Sequence, residues 1–206
     1  MIKPEDVKQL REQTGAGIMD CKRALEASGG DVDKAILWLR EKGLSTAAKK
    51  AGREAREGIV TSYLHHGSRL GVLLELNCET DFVARTEDFQ QLAREIAMQI
   101  AGMAPLYVSR DEVPAATVEE QRRLFTVDAE RDGRPADRIP MIVEGKLNKW
   151  YESVCLLDQP YRDTDKKVGD LITEKVALLG ENIKVARFAR MGVGETAATT
   201  SDEEAA

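Results

Sequence analysis

Three cysteines and two histidines are the first residues in this 206-residue chain whose types could support chemistry. Cys21, Cys78 and Cys155 are odd in number and widely spaced, which indicates neither a disulfide framework nor a CxxC metal site. His65 and His66 lie side by side in a predicted hairpin turn, with no partner at metal-ligand spacing. We therefore expect reduced, partly buried thiols, and we favour neither a zinc site nor a cysteine–histidine nucleophile.

A carboxylate pair and a glycine-rich loop are the remaining candidates for chemistry. Glu79 and Asp81 are close in sequence, but without a histidine, metal-ligand spacing or a glycine-rich floor they are weak evidence for acid–base catalysis. The loop Thr14-Gly15-Ala16-Gly17 lacks both the GK[ST] ending and the preceding strand of a phosphate-binding loop, so we interpret it as a tight interhelical turn. We expect no catalytic site, no metal and no cofactor.

The sequence Thr80-Asp81-Phe82-Val83, called the tip below, follows directly on an alternating apolar run at residues 71–78. A loop apex rarely carries a phenylalanine, because the large apolar ring has nowhere local to be buried. Two interpretations remain open on the pattern alone. Either Phe82 folds back under the next helix against Phe89, or it is offered to a partner.

The composition is typical of a globular protein, with 42% hydrophobic and 32% charged residues. The apolar runs are only a few residues long, whereas a membrane-spanning helix needs about 20, and no apolar leader follows Met1. The net charge of −6 argues against nucleic-acid binding by the whole chain. We expect a cytoplasmic protein that binds neither membranes nor nucleic acid directly.

The elements that must position the tip begin with three short amphipathic helices in about the first 43 residues. The first follows Pro4 and stops at Gly15, the second stops at Gly29, and the third begins after the cap residue Asp31 and stops before Gly43. Helices this short must pack together, so residues 1–44 are predicted to form a front domain. Residues 45–57 predict an exposed basic linking helix carrying Lys49, Lys50, Arg53 and Arg56.

Residues 58–195 are predicted to form the core, and residues 196–206 a disordered acidic tail. The period changes to two in a hairpin whose second strand leads into the tip. Helices are predicted near 89–100, 116–130, 141–155 and 168–179, with a strand-like piece at 106–108. A last strand starts at Asn182, and its phase slips by Phe188, which suggests a bulge. The predicted fold is α+β, a three-stranded antiparallel sheet covered by helices behind the helical front domain.

Several stretches closely resemble bacterial translation elongation factor Ts, in the order of that family, from residue 4 to about residue 195. The main matches are Thr14-Gly-Ala-Gly-Ile-Met-Asp-Cys-Lys-Arg-Ala-Leu25, Lys42-Gly43, Ala47-Ala-Lys-Lys-Ala-Gly52 and Asn77-Cys-Glu-Thr-Asp-Phe-Val-Ala84. Further matches are Pro105-Leu-Tyr-Val-Ser109, Lys146-Leu-Asn-Lys-Trp-Tyr151, Val154-Cys-Leu-Leu-Asp-Gln-Pro160 and Gly180-Glu-Asn-Ile-Lys-Val185.

The resemblance implies a non-catalytic guanine-nucleotide exchange factor for elongation factor Tu, with a ubiquitin-associated-like front domain. In the family, the residue matching Phe82 inserts between two helices of the partner's G domain, the one matching Asp81 lies beside it, and the Mg²⁺ and phosphate site is disturbed. Front-domain residues matching Arg11, Met19 and Lys22 are expected to contact the G domain.

Two departures from the family pattern are visible. Thr86 stands where the family more often has Asn. Many members also carry a duplicated core and a coiled-coil insertion, whereas this chain has room for a single sheet unit. It resembles the short class, so the resemblance implies a homodimer that engages two partner molecules.

Two other classes remain open as alternatives. A ubiquitin-associated-like adaptor or ribosome-associated protein would use the basic stretch at residues 49–56. A cysteine–histidine metalloprotein would require bound zinc. The tip separates the first alternative from an exchange factor, since an adaptor has no reason to display it.

Overall fold

The computed structural model describes residues 2–162 and 164–195, which form eight α-helices and three β-strands. The helices are α1 (Pro4–Thr14), α2 (Ile18–Ala27), α3 (Val32–Lys50), α4 (Asp81–Ala84), α5 (Glu87–Met103), α6 (Ala115–Arg131), α7 (Ile139–Val154) and α8 (Val168–Leu179). The strands are β1 (Glu57–Leu64), β2 (Leu70–Cys78) and β3 (Lys184–Gly192), and short 3-10 helices span Arg110–Glu112 and Leu156–Asp158. The predicted acidic tail at 196–206 lies outside the described residues.

Helices α1 to α3 pack around a small apolar core of their own, as the sequence predicts. Its buried members are Val7, Leu10, Cys21, Ala24, Leu25 and Ala35. Gly15 ends α1 in the left-handed conformation at φ 68°, and the Asp31 carboxylate caps α3 by accepting a hydrogen bond from the Lys34 amide. The packing of these helices is consistent with the expected front domain.

Helix α3 is longer than predicted. It passes Gly43 without a break and ends at Lys50, so the stop at Gly43 and the separate linking helix at 45–57 are both wrong. Gly43 is buried where α3 meets α8, and a Cβ there would lie 3.4 Å from the Cβ of Ala177. The glycine therefore permits close helix packing and does not cap the helix. Arg53 and Arg56 follow α3 as non-helical residues.

The sheet has three antiparallel strands, as predicted, and their order is β1-β2-β3. The last strand begins at Lys184, two residues later than expected, because Asn182 belongs to the turn after α8. Glu75 pairs with Arg187 and Leu76 with Val185, which leaves Ala186 as an extra residue in β3. This irregularity confirms the bulge that the phase slip indicated.

The two faces of the sheet differ in their environment. Alternate β2 side chains from Val72 to Cys78 point into the main core, which they share with α5 and α8. The opposite face carries exposed apolar side chains on all three strands: Val60, Leu64, Leu73 and Met191. No described element covers that face, since α4, α5 and α8 all pack on the inner side.

Helices α6 and α7 pack against each other as a helical hairpin, close to their predicted bounds. At its base, the Arg110 guanidinium donates two hydrogen bonds to Asp158, of 3.0 and 2.7 Å, and one of 3.0 Å to Asn148. The same group lies 4.5 Å from the centre of the Tyr151 ring.

Within the described ranges, no helix combines the length and the apolar character needed to cross a bilayer.

Candidate partner-binding site

The sequence suggested that the tip is a loop apex. In the structure it forms the first turn of a short helix, α4. Thr80 is the N-cap of α4, and its hydroxyl oxygen accepts a hydrogen bond of 3.4 Å from the Val83 amide. A capped helical turn fixes the backbone between Thr80 and Ala84, so the side chains of the tip leave it in defined directions.

Phe82 points outward from this turn. Its side chain is 78% exposed, whereas Ala84 is buried and Val83 packs at the edge of the main core. Phe89 lies fully inside that core. The interpretation in which Phe82 folds back against Phe89 is therefore wrong for this chain, and the ring is presented to the solvent.

Asp81 forms an ion pair with a neighbour on the same turn. Its carboxylate lies 2.8 Å from the guanidinium of Arg85, four residues later; the Arg85 side chain is exposed and that of Asp81 is partly exposed. Exposed pairs of this kind contribute at most about 1 kcal/mol. A partner can therefore draw Asp81 into a new contact without a large loss in this protein's stability.

Glu79 and Thr80, where the chain enters the tip, are hydrogen-bonded to the turn between α8 and β3. The Glu181 carboxylate accepts hydrogen bonds from the Glu79 amide (3.1 Å), the Thr80 amide (3.0 Å) and the Thr80 hydroxyl (2.6 Å). Sequence reasoning assigned no role to Glu181. The signal available was its place in the stretch Gly180-Glu-Asn, which matches the family but lies 101 residues from Thr80.

Glu79 binds back to the same turn. Its carboxylate accepts a 2.7 Å hydrogen bond from the backbone N–H of Asn182 and lies 3.5 Å from the Arg53 guanidinium. The Asn182 amide, together with the positive charge of Arg53, holds the pKa of the Glu79 carboxyl below its ordinary value. Glu79 and Asp81 therefore have separate partners, and the structure does not bring them together as an acid–base pair.

Cys78 lies directly beneath the tip. Its thiol donates a hydrogen bond of 3.1 Å to the Thr80 carbonyl, and burial raises the pKa of the thiol to about 11. Cys21 and Cys155 are also buried free thiols. A high pKa makes a thiol a poor nucleophile near neutral pH. In the described part of the chain, no three or more histidine, cysteine and acidic residues converge in a way that could hold a metal.

The three front-domain candidates lie on α1 and α2. Met19 is 57% exposed, Arg11 is exposed on the last turn of α1, and Lys22 pairs at 3.8 Å with Glu26 on the surface of α2. These residues and the tip belong to different elements of the chain. The loop at 14–17 joins α1 to α2 as a turn, as predicted, and no strand precedes it among residues 2–13.

Comparisons with known proteins give one consistent result. The family model described as "Elongation factor TS" matches residues 31–195. A protein of Carboxydothermus hydrogenoformans named elongation factor Ts is 53% identical over 207 residues, covering 100% of this chain and 95% of its own length.

Two further relatives carry the same name. The protein of Coprothermobacter proteolyticus is 57% identical over 190 residues, covering 92% of this chain and 96% of its own length. That of Thermodesulfovibrio yellowstonii is 56% identical over 196 residues, covering 95% of this chain and 98% of its own length. The similarity therefore extends over nearly the full length of both proteins in each comparison.

Proposed function

Because the chain belongs to the elongation factor Ts family, we propose that it is a guanine-nucleotide exchange factor that binds elongation factor Tu and promotes GDP release during translation elongation. The observation that carries the proposal is the 78% exposed Phe82 on a capped turn. Single exposed apolar residues are common on protein surfaces, so the support comes from the place of this ring on a capped turn, within the stretch Asn77-Cys-Glu-Thr-Asp-Phe-Val-Ala84 that matches the family. The Asp81-Phe82 tip enters the G domain of the partner and disturbs its Mg²⁺ and phosphate site.

The energetics require more than the tip. Affinities of the factor and of the nucleotide are reciprocally coupled, so the factor must bind the empty partner far better than the loaded one. Weakening a nucleotide from nanomolar to micromolar affinity takes about 4 kcal/mol. Burial of one phenylalanine yields roughly 1.5–3 kcal/mol. Other surfaces must therefore hold the partner while the tip acts.

The front domain supplies one such surface. Arg11, Met19 and Lys22 contact the G domain in this proposal, and all three side chains are exposed on α1 and α2. The front domain has a ubiquitin-associated-like fold. The front domain binds the loaded and the empty partner alike, so it raises the affinity of the factor for elongation factor Tu without by itself releasing the nucleotide.

A homodimer is the second part of the proposal. The outer face of the single sheet is apolar at Val60, Leu64, Leu73 and Met191, and no described element covers it. A second copy would cover this face by the same residues, as two-fold symmetry requires. The assembly would then bind two molecules of elongation factor Tu and act in the cytoplasm. The protein makes and breaks no covalent bond itself and needs no cofactor.

The adaptor alternative loses its main feature in the structure. Of its basic cluster only Lys49 and Lys50 lie on α3, whereas Arg53 pairs with Glu79 and Arg56 pairs with Glu54. No continuous basic helix face is formed by these residues.

Release of fluorescently labelled GDP from elongation factor Tu tests the function. We expect the wild-type protein to accelerate release and Phe82→Ala to lower the maximal rate by at least about tenfold, the effect of roughly 1.4 kcal/mol. Leu106→Ala is the matched control, since Leu106 is also an exposed apolar residue, at 69%, in the loop after α5. Equal release rates for Phe82→Ala and wild type would refute the role of the tip, and no acceleration by wild type would refute the function.

A further inference from the structure

The turn between α8 and β3 forms hydrogen bonds with two separate segments of the chain. Gly180 ends α8 in the left-handed conformation at φ 75°, and Glu181 and Asn182 follow before β3 begins. Glu181 faces the tip, and Asn182 faces the segment that leaves the front domain. Two adjacent side chains of one turn therefore contact the tip and the segment that directly follows α3.

On the tip side, the Thr80 hydroxyl has two roles. It donates to Glu181 Oε1 at 2.6 Å and accepts from the Val83 amide at 3.4 Å. With its proton directed to the carboxylate, the hydroxyl presents a lone pair to the helix. Glu181 Oε2 also accepts hydrogen bonds from the backbone amides of Glu79 and Thr80. One carboxylate therefore fixes both the backbone that leads into α4 and the cap residue of that helix.

On the front-domain side, Asn182 is buried, with 3% of its surface exposed. Its side-chain amide donates hydrogen bonds to the carbonyls of Arg53 (2.6 Å) and Ala51 (3.4 Å), which follow α3. Lys50, the last residue of α3, adds a hydrogen bond to the Gly180 carbonyl. The C-terminal end of α3 is thereby fixed to the same turn that holds the tip.

We infer that Glu181 and Asn182 form a positioning junction for nucleotide exchange, in which Glu181 fixes the direction of the Asp81-Phe82 tip and Asn182 fixes the front domain relative to it. The inference rests on the proposed function and adds residues that need not touch the partner. A tip held in its binding conformation loses less conformational entropy on binding than a free one. Its contact energy then remains available for distorting the nucleotide site.

The two residues should affect exchange in different ways. Glu181→Ala releases the tip but leaves the front domain attached, so it should lower the maximal rate of GDP release about tenfold and change the half-saturating concentration less than about twofold. Asn182→Ala loosens the front domain but leaves Glu181 in place. It should raise the half-saturating concentration several-fold and leave the maximal rate within about twofold.

Two variants control for general effects. Glu181→Gln keeps an oxygen for the amides of Glu79 and Thr80, so it should recover most of the rate lost in Glu181→Ala. Glu112→Ala removes a carboxylate that accepts a backbone hydrogen bond of 2.8 Å from Val108 in the loop before α6, and it should change neither kinetic constant. The inference is overturned if Glu181→Ala and Asn182→Ala change both constants in the same proportion, or if Glu181→Ala keeps the wild-type maximal rate.

Amide hydrogen exchange of the free protein gives a second test, which does not depend on the proposed function. In Glu181→Ala the amides of Thr80 and Val83 should lose protection, while those of β2 and α5 keep it. Unchanged protection at Thr80 and Val83, or equal loss throughout the sheet, would overturn a local positioning role. If wild type accelerates no GDP release, the proposed function fails, and hydrogen exchange still decides whether Glu181 fixes the tip.

Discussion

The hydroxyl of Thr86 donates a 2.7 Å hydrogen bond to the carbonyl of Val83, the last residue of the tip. The same oxygen accepts a hydrogen bond of 3.3 Å from the Phe89 amide and caps α5. One side chain therefore joins the end of the short helix that carries Phe82 to the start of the helix that covers the sheet. Residue 86 thus influences how rigidly the tip is attached to the core.

Substitution of Thr86 should separate capping from the identity of the side chain. Thr86→Ala removes both hydrogen bonds, and loss of an N-cap costs about 1 kcal/mol of unfolding free energy. Thr86→Asn supplies an oxygen for the Phe89 amide and an N–H for the Val83 carbonyl, so its stability should stay near that of wild type. Urea unfolding measures both. Equal midpoints for Thr86→Ala and wild type would contradict the capping role.

A second prediction concerns the contact between α3 and α8 at Gly43. Alanine should be tolerated there, because its Cβ meets Ala177 at 3.4 Å and alanine favours a helix by about 1 kcal/mol over glycine. Leucine has no such space and should destabilise the protein by about 1–3 kcal/mol through overpacking. Thermal unfolding of Gly43→Ala and Gly43→Leu tests this. A stable Gly43→Leu variant would show that the two helices can separate freely.

Gly43 also shows what the sequence can and cannot predict. Hydrophobic periodicity and the positions of glycine and proline located nearly every helix and strand. Each amphipathic segment repeats its apolar residues every three to four positions in a helix or every two in a strand. A glycine at a close contact between two helices has the same local signature as one that ends a helix. Only the position of α8 distinguishes the two cases. Local sequence alone therefore placed the end of α3 eight residues too early, at residue 42 instead of Lys50.

The site was predictable to a similar degree. The exposed Phe82 and its neighbours could be identified because they are contiguous in sequence, and the family pattern supported the interpretation. Glu181 could not be identified, since its partner Thr80 is 101 residues away and a single glutamate has no periodicity. Contacts between distant segments depend on the fold as a whole, and single-sequence patterns contain little information about them.

The uncovered sheet face yields the third prediction. Leu73 lies near its middle, paired with Ser62 on one side and Ala189 on the other. Leu73→Lys would place a charge in the proposed interface, where a buried unpaired cation is costly. Light scattering should show a dimer for wild type and a monomer for Leu73→Lys.

Leu106→Lys is the control for that measurement, because it adds the same charge at another exposed apolar position. It should remain a dimer. A wild-type monomer with full exchange activity would contradict the proposed assembly, and a dimeric Leu73→Lys variant would place the interface elsewhere.

The fourth prediction is a loss of stability at alkaline pH. Burial raises the pKa of Cys78 from 9.0 to about 11, and that of Cys155 to about the same value. A thiol whose pKa is higher in the folded state contributes stability below its unfolded pKa of 9.0 and loses it as the pH rises towards 11. Unfolding free energies measured from about pH 8 to about pH 10.5 should therefore fall.

Cys78→Ser provides the matched variant. A serine hydroxyl can still donate to the Thr80 carbonyl but does not ionise in this range, so the alkaline decline should be shallower than in wild type. Both proteins should respond alike between about pH 6 and about pH 8, where the thiols are protonated in either state. An identical alkaline slope for the two proteins would contradict the assignment to Cys78.

The fifth prediction concerns acid pH and the base of the helical hairpin. Burial would raise the pKa of Asp158, but the hydrogen bonds and charge of Arg110, with the charge of Lys167, hold it below its ordinary value of 3.8. A carboxyl group with a lowered folded pKa contributes stability above its unfolded pKa and loses it as the pH falls below about 3.8. Arg110→Ala should remove much of this contribution, which is on the order of 1–2 kcal/mol after solvent screening of the half-exposed guanidinium. Unfolding free energies at about pH 7 and about pH 3 should therefore differ less in Arg110→Ala than in wild type, and an unchanged difference would show that Asp158 does not depend on Arg110.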